Sequence, residues 1–314
     1  MVNFSVGRAI GLVLRTWPFL VLRLVIWALV CAGYGAGVGG GAVMGLALGA
    51  LWSSPAGGAA LGALAGFAAA SALLFWLRAY ITYLLKGGHV AALVAAHDGL
   101  PLPFGFGQVG YALAIVRERF VEVNVLFAVD LLIKGVVGTL CGLIAGAAAP
   151  LGLGGLAGLL TTVLRLSTFY VDELILARNI RTREADPFSG AQDALVLYAQ
   201  NAWAIARNAL VLALVCAGLG LGAFIFLVGP FGLVAAFAPE ALTEAVLTLA
   251  GLALAALAAL ALVYAAAEPF CIACLMQVYF GVTEGQRPDP SWRRTLETAS
   301  SAFRKLGEEA LAGL

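Results

Sequence analysis

The sequence predicts an all-α membrane protein with six transmembrane helices arranged as three hairpins. Hydrophobic residues make up 62% of its 314 residues and charged residues only 11%, whereas soluble chains are roughly half apolar and about a quarter charged. Three long stretches, 24–77, 135–164 and 208–267, contain no Lys or Arg. Because a soluble core could not hide this much apolar surface, lipid is the predicted solvent of these stretches.

The distribution of positive charge predicts the orientation. Seventeen of the 18 Lys and Arg residues fall in four groups that flank the apolar stretches, and only Lys134 stands apart. Lys and Arg in short loops stay on the cytoplasmic side of a membrane. We therefore expect an inner-membrane protein with both termini in the cytoplasm and its hairpins pointing outward. The first apolar helix, rather than a cleaved signal peptide, is expected to direct insertion.

Each hairpin offers two segments of the roughly 20 apolar residues needed to cross the hydrocarbon core. The predicted spans are 18–51, 59–85, 120–148, 156–177, 208–237 and 242–267. Short turns join them in pairs at 52–58, 149–155 and 238–241. Nothing stops the last helix between 242 and 282 except Pro269. We expect a kink there or an extension of the helix past the membrane.

A repeating pattern divides the chain, predicted to be one membrane domain over 1–314, into three similar units and a closing helix. Each descending span is followed by a polar loop ending in Pro and an aromatic residue, and then by an amphipathic helix. The units cover about 1–103, 104–187 and 188–290, and the closing helix covers 291–314. Apolar faces with cationic flanks predict that these helices lie in the headgroup plane on the cytoplasmic side.

The amphipathic helices are recognised by apolar residues spaced three or four apart. In the closing helix these are Trp292, Leu296, Ala299, Phe303, Leu306 and Ala310. Before the third hairpin they are Leu195, Tyr198, Ala202, Ile205 and Ala209, opposite Asp193, Gln200 and Arg207. At the N-terminus Val6, Ile10, Val13 and Trp17 face away from Arg8 and Arg15. The helix at 108–119 has a weaker pattern, formed by Val109, Leu113 and Val116.

Charged residues inside the predicted spans are the candidate functional residues, because a charge in hydrocarbon is costly. Asp130 and Lys134 lie deepest and four residues apart, so they can pair on one helix face. The presence of both charges in a span is explained either by an internal ion pair or by a gate or ion-coupled relay. The shallower charges could line a polar pocket open to the cytoplasm, or could pair between helices and snorkel. They are Glu122, Arg23, Arg78, Arg165, Asp172, Glu173 and Glu268.

No metal or cofactor site is predicted. The five cysteines all lie in apolar segments, and their odd number argues against a disulfide framework. Cys271 and Cys274 are expected to be small buried residues, with a redox pair as the alternative. Close helix packing is predicted for the glycines of the first span, with a hinge or an unwound transport segment as the alternative. These glycines are Gly33, Gly35, Gly37, Gly39, Gly40 and Gly41. A net charge of +1 gives no sign of a nucleic-acid partner, and membrane lipids are the expected partners.

One segment carries a resemblance to a known family. It reads FYVDELILARNIRTREADPFSGAQDALVLYAQNAWAIARNALVL at 169–212. In it a descending span ends in mixed charges, and a loop leads to a helix with a late Asn/Trp pair, Asn201 and Trp203. In these features and in layout the chain resembles the poorly characterised six-helix bacterial inner-membrane proteins related to the membrane domain of glycerophosphodiester phosphodiesterases. The resemblance implies a helical inner-membrane protein of undefined role, without the soluble phosphodiesterase domain of the fused relatives.

These observations favour a non-enzymatic function, namely transport or passage of a small solute or lipid. A membrane scaffold that senses lipid or recruits a partner is an alternative. A membrane-embedded lipid enzyme is the third possibility and the least favoured, because the sequence shows no catalytic set of residues.

Overall fold

A computed structural model describes residues 3–119, 132–133, 135–136, 138–139, 142, 170–183, 186–236 and 244–312. The regular secondary structure of this part of the chain is entirely helical. The helices are α1 (Val6–Arg15), α2 (Trp17–Ala50), α3 (Pro55–His97), α4 (Gly107–Arg119), α5 (Val171–Thr182), α6 (Pro187–Gln200), α7 (Ala202–Ala236), α8 (Glu244–Leu262), α9 (Glu268–Thr283), α10 (Pro290–Ala299) and α11 (Ser301–Ala312). A π-helical turn, Val263–Ala267, joins α8 to α9.

Four helical segments of the described chain are long and apolar enough to cross a membrane, which indicates a multi-pass membrane protein. They are Trp17–Ala50, Pro55–Phe75, Ala202–Pro230 and Leu254–Thr283. In the first and third, only 11% of the most apolar window is buried within the protein. Apolar side chains left uncovered on such long helices require lipid around them. The second predicted hairpin, 120–148 and 156–177, lies almost entirely outside the described residues.

The chain divides into two compact units, and the smaller one is a helical hairpin. This unit is Phe19–Lys86, and the larger unit combines Met1–Pro18 with Gly87–Leu314. Inside the hairpin, α2 and α3 meet along a line of glycines that we call the glycine seam. Its members are Gly37, Gly41, Gly45 and Gly49 on α2 and Gly58, Gly62 and Gly66 on α3. A Cβ added at any of them would come within 3.0 Å of the other helix, which confirms the predicted close packing for Gly37 and Gly41. The prediction is wrong for Gly35, Gly39 and Gly40, where a Cβ would have nothing within 4 Å.

The turn of this hairpin is shorter than the sequence predicts. α2 ends at Ala50, and α3 begins at Pro55, whereas the predicted turn extends over 52–58. Proline suits the first position of a helix, because the N–H that it lacks has no partner there. α3 then continues for 43 residues to His97, about 65 Å at 1.5 Å per residue. It therefore extends well beyond the predicted span 59–85.

Pro269 disturbs the last long helix without ending it. The Glu268 N–H donates to the carbonyl of Val263 across the π-helical turn, and α9 continues to Thr283. A π turn inserts one extra residue into the helix at the point where the proline ring would clash with the carbonyl four residues earlier. The structure thus has a local irregularity before Pro269, and the helix continues beyond it to Thr283, the end of the candidate membrane span. The predicted extension past the membrane stays a prediction.

The core of the larger unit is built from the C-terminal parts of α3, α5 and α9. Residues 90–96 of α3, most of α5 and residues 271–276 of α9 are buried. Helix α1 packs on α9, and α6 packs on α5, α10 and α11. We call this region the base. It comprises the C-terminal ends of α3, α5 and α9 together with α1, α4, α6, α10 and α11.

Helix α6 is buried in the base, so the prediction that it lies open on a membrane surface is wrong. Nine of its 14 residues are buried, and its polar groups contact the protein. Gln192 Nε2 donates to the Phe303 carbonyl (3.0 Å), and Arg293 donates to Gln192 Oε1 (3.3 Å) and to Asp193. The predicted apolar stripe is also interrupted at Asn201, which ends α6 before α7 begins. The polar face of α6 therefore points to α10 and α11.

The predicted closing helix is two helices. Ser300 separates α10 from α11 in an extended conformation, with φ −124° and ψ 114°. Its hydroxyl accepts a hydrogen bond from the Phe303 N–H (3.3 Å) and so caps α11. Leu296, Phe303 and Leu306 of the predicted stripe are buried, but Ala299, at the break, is exposed.

Helix α1 has apolar residues on two faces. Ala9 and Val13 are buried where α1 packs on α9. Val6, Ile10 and Trp17, which belong to the predicted stripe, are exposed. The predicted stripe is therefore split between a protein-facing and an uncovered face.

Cys216 and Cys271 face each other between neighbouring helices. Cys216 of α7 and Cys271 of α9 are paired through their sulfur atoms, with Cα atoms 7.8 Å apart, wider than the roughly 4.4–6.8 Å usual in disulfides. Cys31 and Cys274 are free. Two small side chains face each other here because α7 and α9 pack closely. Cys271 thus faces Cys216 rather than forming a redox pair with Cys274.

Candidate functional site

The structure describes part of the predicted set of charged site residues. Arg23 of α2 and Glu173 of α5 are buried, and Asp172 and Glu268 are half-buried. Arg78 lies in α3, but its side chain is outside the described part of the chain. Asp130, Lys134 and Arg165 are also outside it.

Three of the predicted carboxylates lie in the first turns of α5 and α9. Helices α5 and α9 pack together, and Arg181 near the end of α5 stacks on Phe280 near the end of α9. Asp172 and Glu173 lie at the opposite end of α5 from this contact, and Glu268 lies at the opposite end of α9. Glu173 precedes Arg181 by eight residues, about 12 Å along the helix axis. These acids are thus separate from the polar groups of the base, and Arg23 belongs to the other compact unit.

The ends of α3, α5 and α9 meet at a cluster that the sequence did not reveal. The Arg181 guanidinium forms an ion pair with Asp98 (3.0 Å) and lies over the Phe280 ring, 4.4 Å from its centroid. The His97 ring contacts the same phenyl ring edge-on, with centroids 5.4 Å apart. One residue after α3, one on α5 and one on α9 thus hold the three helix ends together.

Two arginines of α1 bind the C-terminal carbonyls of α3. Arg8 donates to the carbonyl of His97 (3.2 Å), and Arg15 donates to the carbonyls of Ala96 (3.5 Å) and Leu100 (3.3 Å). A helix C-terminus carries partial negative charge and unpaired carbonyls, both of which favour a cation. The arginines that were predicted to face headgroups therefore cap α3.

The environment of His97 lowers the pKa of its imidazole. Burial is the main cause, and the nearby Arg8 adds to it, while Asp98 opposes the shift and Arg181 supports it. The ring is thus held neutral at the point where three helices meet.

We expect acid to destabilise the base through His97. The folded state binds the imidazole proton more weakly than the unfolded chain, whose pKa is about 6.5. This stability is present above about pH 6.5 and is lost as the pH falls toward the folded-state pKa. Thermal unfolding from about pH 7.5 down to about pH 5 should show a larger loss for the wild type than for His97→Gln. Parallel losses in both proteins would contradict the assignment.

A cavity of about 440 Å³ opens beside this cluster, between the ends of α3, α4 and α5. We call it the base cavity. Its apolar lining includes Ala91, Val94, Ala95, Leu100, Ile115 and Ile180. Its polar lining consists of Tyr111 and four charged residues, Asp98, Glu118, Arg181 and Arg183. The cavity is therefore more polar than a typical small-molecule site, whose walls are mostly apolar.

Helices α3, α5 and α9 share one backbone feature at their C-terminal ends. Each is followed by a left-handed residue: Gly99 after α3 (φ 74°), Arg183 after α5 (φ 55°) and Gly285 after α9 (φ 69°). Glycine adopts this conformation freely, whereas an L-residue with a side chain loses roughly 1 kcal/mol or more. Arg183 therefore occupies a position that glycine would fill with less strain.

Sequence reasoning missed all four charged residues of the base cavity. Arg181 and Arg183 were counted only among the Lys and Arg groups that flank the apolar stretches. One signal was present: the chain has a glycine shortly after α3 and after α9, but Arg183 directly after α5.

Comparison of the chain with protein-family models, with curated proteins and with solved structures found no match. The resemblance based on residues 169–212 stays a prediction.

Proposed function

We propose that this is a multi-pass inner-membrane protein that passes a small amphiphilic solute or a lipid across the bilayer. The observation that carries the proposal is the base cavity, about 440 Å³ and lined by apolar residues, Tyr111 and four charged residues. Its volume falls in the range of about 300–1,000 Å³ that is usual for small-molecule sites. A ligand with one charged and one apolar end matches both surfaces.

We place the base on the cytoplasmic side because of its cations. Arg8, Arg15, Arg181 and Arg183 all belong to it, whereas the turn between α2 and α3 has no Lys or Arg. The retention of Lys and Arg on the cytoplasmic side supports this orientation and cytoplasmic termini. Two further spans within residues 120–177, as the sequence predicts, would complete three hairpins.

The uncovered face of α1 is assigned to the headgroup region of the inner leaflet. Trp17 contacts Phe106 edge-on, with centroids 5.5 Å apart, and Phe104 is 96% exposed. Aromatic rings concentrate at membrane–water boundaries, and an exposed apolar face next to cations suits anionic lipid. The same face favours a second candidate function, a lipid-sensing scaffold that moves nothing across the membrane.

A lipid-passage assay separates the two functions. The purified full chain is reconstituted into vesicles that contain a phosphatidylcholine with a fluorescent acyl chain, and dithionite is added outside. In protein-free vesicles dithionite bleaches only the outer leaflet. We expect bleaching of both leaflets in proteoliposomes. Bleaching restricted to the outer leaflet, together with no uptake of a zwitterionic solute, would rule out passage and leave the scaffold.

Substitution of Asp130 and Lys134 is a second way to distinguish passage from a scaffold function. We expect Asp130→Asn combined with Lys134→Gln to abolish passage while the protein still folds, because a paired replacement leaves no single charge unpaired. A scaffold would tolerate the pair of changes. Normal lipid passage in this variant would exclude the two residues from the path.

A further inference from the structure

We infer that the base cavity is a binding site for a zwitterionic head group, in which Arg183 binds the anionic part and Glu118 binds the cationic part. The amphiphilic character of the ligand rests on the proposed function. The new part of the inference is that the head group of the ligand carries one positive and one negative charge. It follows from how the four charged side chains of the cavity are arranged.

Two of the four charged side chains that line the cavity, Asp98 and Arg181, neutralise each other. Asp98 and Arg181 form an ion pair at 3.0 Å, and the guanidinium also stacks on Phe280. An arginine with an aromatic face on one side and a carboxylate on the other is held in place. This pair forms a fixed wall of the cavity.

The other two charges are available to a ligand. Glu118 lies near the end of α4, and Arg183 lies immediately after α5, so they line the cavity from two different elements. Both side chains are exposed. Within the described part of the chain neither has an ion-pair partner, and they do not pair with each other.

The backbone at Arg183 supports a role for its side chain. The left-handed residues after α3 and α9 are glycines, Gly99 and Gly285, which lie one residue further past their helices than Arg183 does, and all three residues have positive φ. A strained non-glycine residue beside a cavity is a reason to look for function. Because the Arg183 side chain lines the cavity, a role in binding explains why the left-handed residue after α5 is an arginine and those after α3 and α9 are glycines.

The electrostatics favour a ligand with both charges. Arg181 neutralises Asp98, and Arg8 and Arg15 bind the C-terminal carbonyls of α3. Glu118 and Arg183 are the remaining charges of the lining. An anion alone would leave Glu118 without a partner, and a cation alone would leave Arg183 without one. The apolar lining, which includes Ala91, Val94 and Ile180, suits the hydrocarbon next to the head group.

Three probes separate a lipid from a soluble zwitterion. The full chain in an uncharged detergent is titrated with short-chain phosphatidylcholine, with glycerophosphocholine and with short-chain phosphatidylglycerol, and adducts are counted by native mass spectrometry. We expect phosphatidylcholine to bind and phosphatidylglycerol to bind at least about tenfold more weakly, as loss of one charge-assisted contact predicts. Binding of glycerophosphocholine equal to that of phosphatidylcholine would identify a soluble ligand; binding of the lipid alone would identify a membrane lipid.

Single neutralisations test the two residues. Glu118→Gln and Arg183→Gln should each weaken phosphatidylcholine binding about tenfold, whereas Lys305→Gln, a charged position that does not line the cavity, should leave it unchanged. Wild-type affinity in both cavity variants, or equal binding of the two lipids by the wild type, would overturn the inference. Unfolding midpoints confirm that each variant is folded.

Arg183→Gly separates a ligand contact from a structural role. Glycine relieves the left-handed strain, so the unfolding midpoint should rise by about 2 °C while phosphatidylcholine binding falls as in Arg183→Gln. A variant that is more stable and still binds normally would contradict the inference. Binding without lipid passage in the vesicle assay would refute the proposed function alone, and passage without binding would refute this inference alone.

Discussion

Replacing Gly41 by Leu should separate α2 from α3 and lower the free energy of unfolding by at least about 3 kcal/mol. A Cβ at Gly41 would overlap the backbone at Gly62 and lie 3.0 Å from the Cα of Gly66. Backbone atoms cannot move aside as a flexible side chain can, so the helices themselves have to move apart. The contacts of the whole glycine seam would then weaken together. Unfolding of the purified protein in a denaturing detergent gradient, followed by circular dichroism, measures the loss.

Gly40→Leu is the matched control. It lies next to Gly41 on α2, but a Cβ there has nothing within 4 Å. Leucine has a higher helix propensity than glycine by about 1 kcal/mol, so this variant should be at least as stable as the wild type. Equal destabilisation by the two substitutions would show that the glycine seam is not the contact between the helices.

Phe303→Ala should destabilise the base by about 3–5 kcal/mol, the usual cost of removing a fully buried phenyl ring. Phe303 of α11 has no exposed surface, and its carbonyl accepts the hydrogen bond from Gln192 of α6. The cavity left by the ring would loosen α11 from α6 at the point where that hydrogen bond is made. Chemical unfolding monitored by circular dichroism gives the free energy directly.

Phe104→Ala removes the same side chain from an uncovered position. The ring of Phe104 is 96% exposed, so its loss should change the free energy of unfolding by less than about 0.5 kcal/mol. If Phe303→Ala were as mild as Phe104→Ala, α11 would not be an integral part of the base.

The long apolar helices could be predicted because almost every residue of a membrane span has to be apolar, and this composition is visible in the sequence. Helix α2 matches its predicted limits closely, because an uninterrupted apolar run of this length is stable only in the hydrocarbon core of a membrane. Helix α3 continues past its predicted span to His97, because nothing in the sequence before Gly99 ends a helix. The glycine seam was predicted as close packing, but the sequence could not tell Gly41, which is on the seam, from Gly40, which is not. That distinction depends on how the two helices are rotated.

The base and its cavity were harder to predict, because their contacts join distant parts of the chain. Asp98 and Arg181 are 83 residues apart, and Gln192 and Phe303 are 111 apart. An amphipathic pattern shows which face of a helix is apolar but not what covers it, so α6 was assigned to the membrane surface. Arg183 looked like an ordinary loop cation, since the sequence does not reveal backbone strain.

The disposition of the helices in the membrane is the premise on which the orientation, the lipid-facing surfaces and the cavity function depend. Single cysteines at Ser53, in the turn between α2 and α3, and at Ser291, in the base, test it most directly in a variant that lacks the five native cysteines. In intact cells a membrane-impermeant maleimide should label Ser53→Cys, and it should label Ser291→Cys only after the membrane is opened. Labelling of Ser291→Cys from outside, or protection of Ser53→Cys until the cells are opened, would contradict the account.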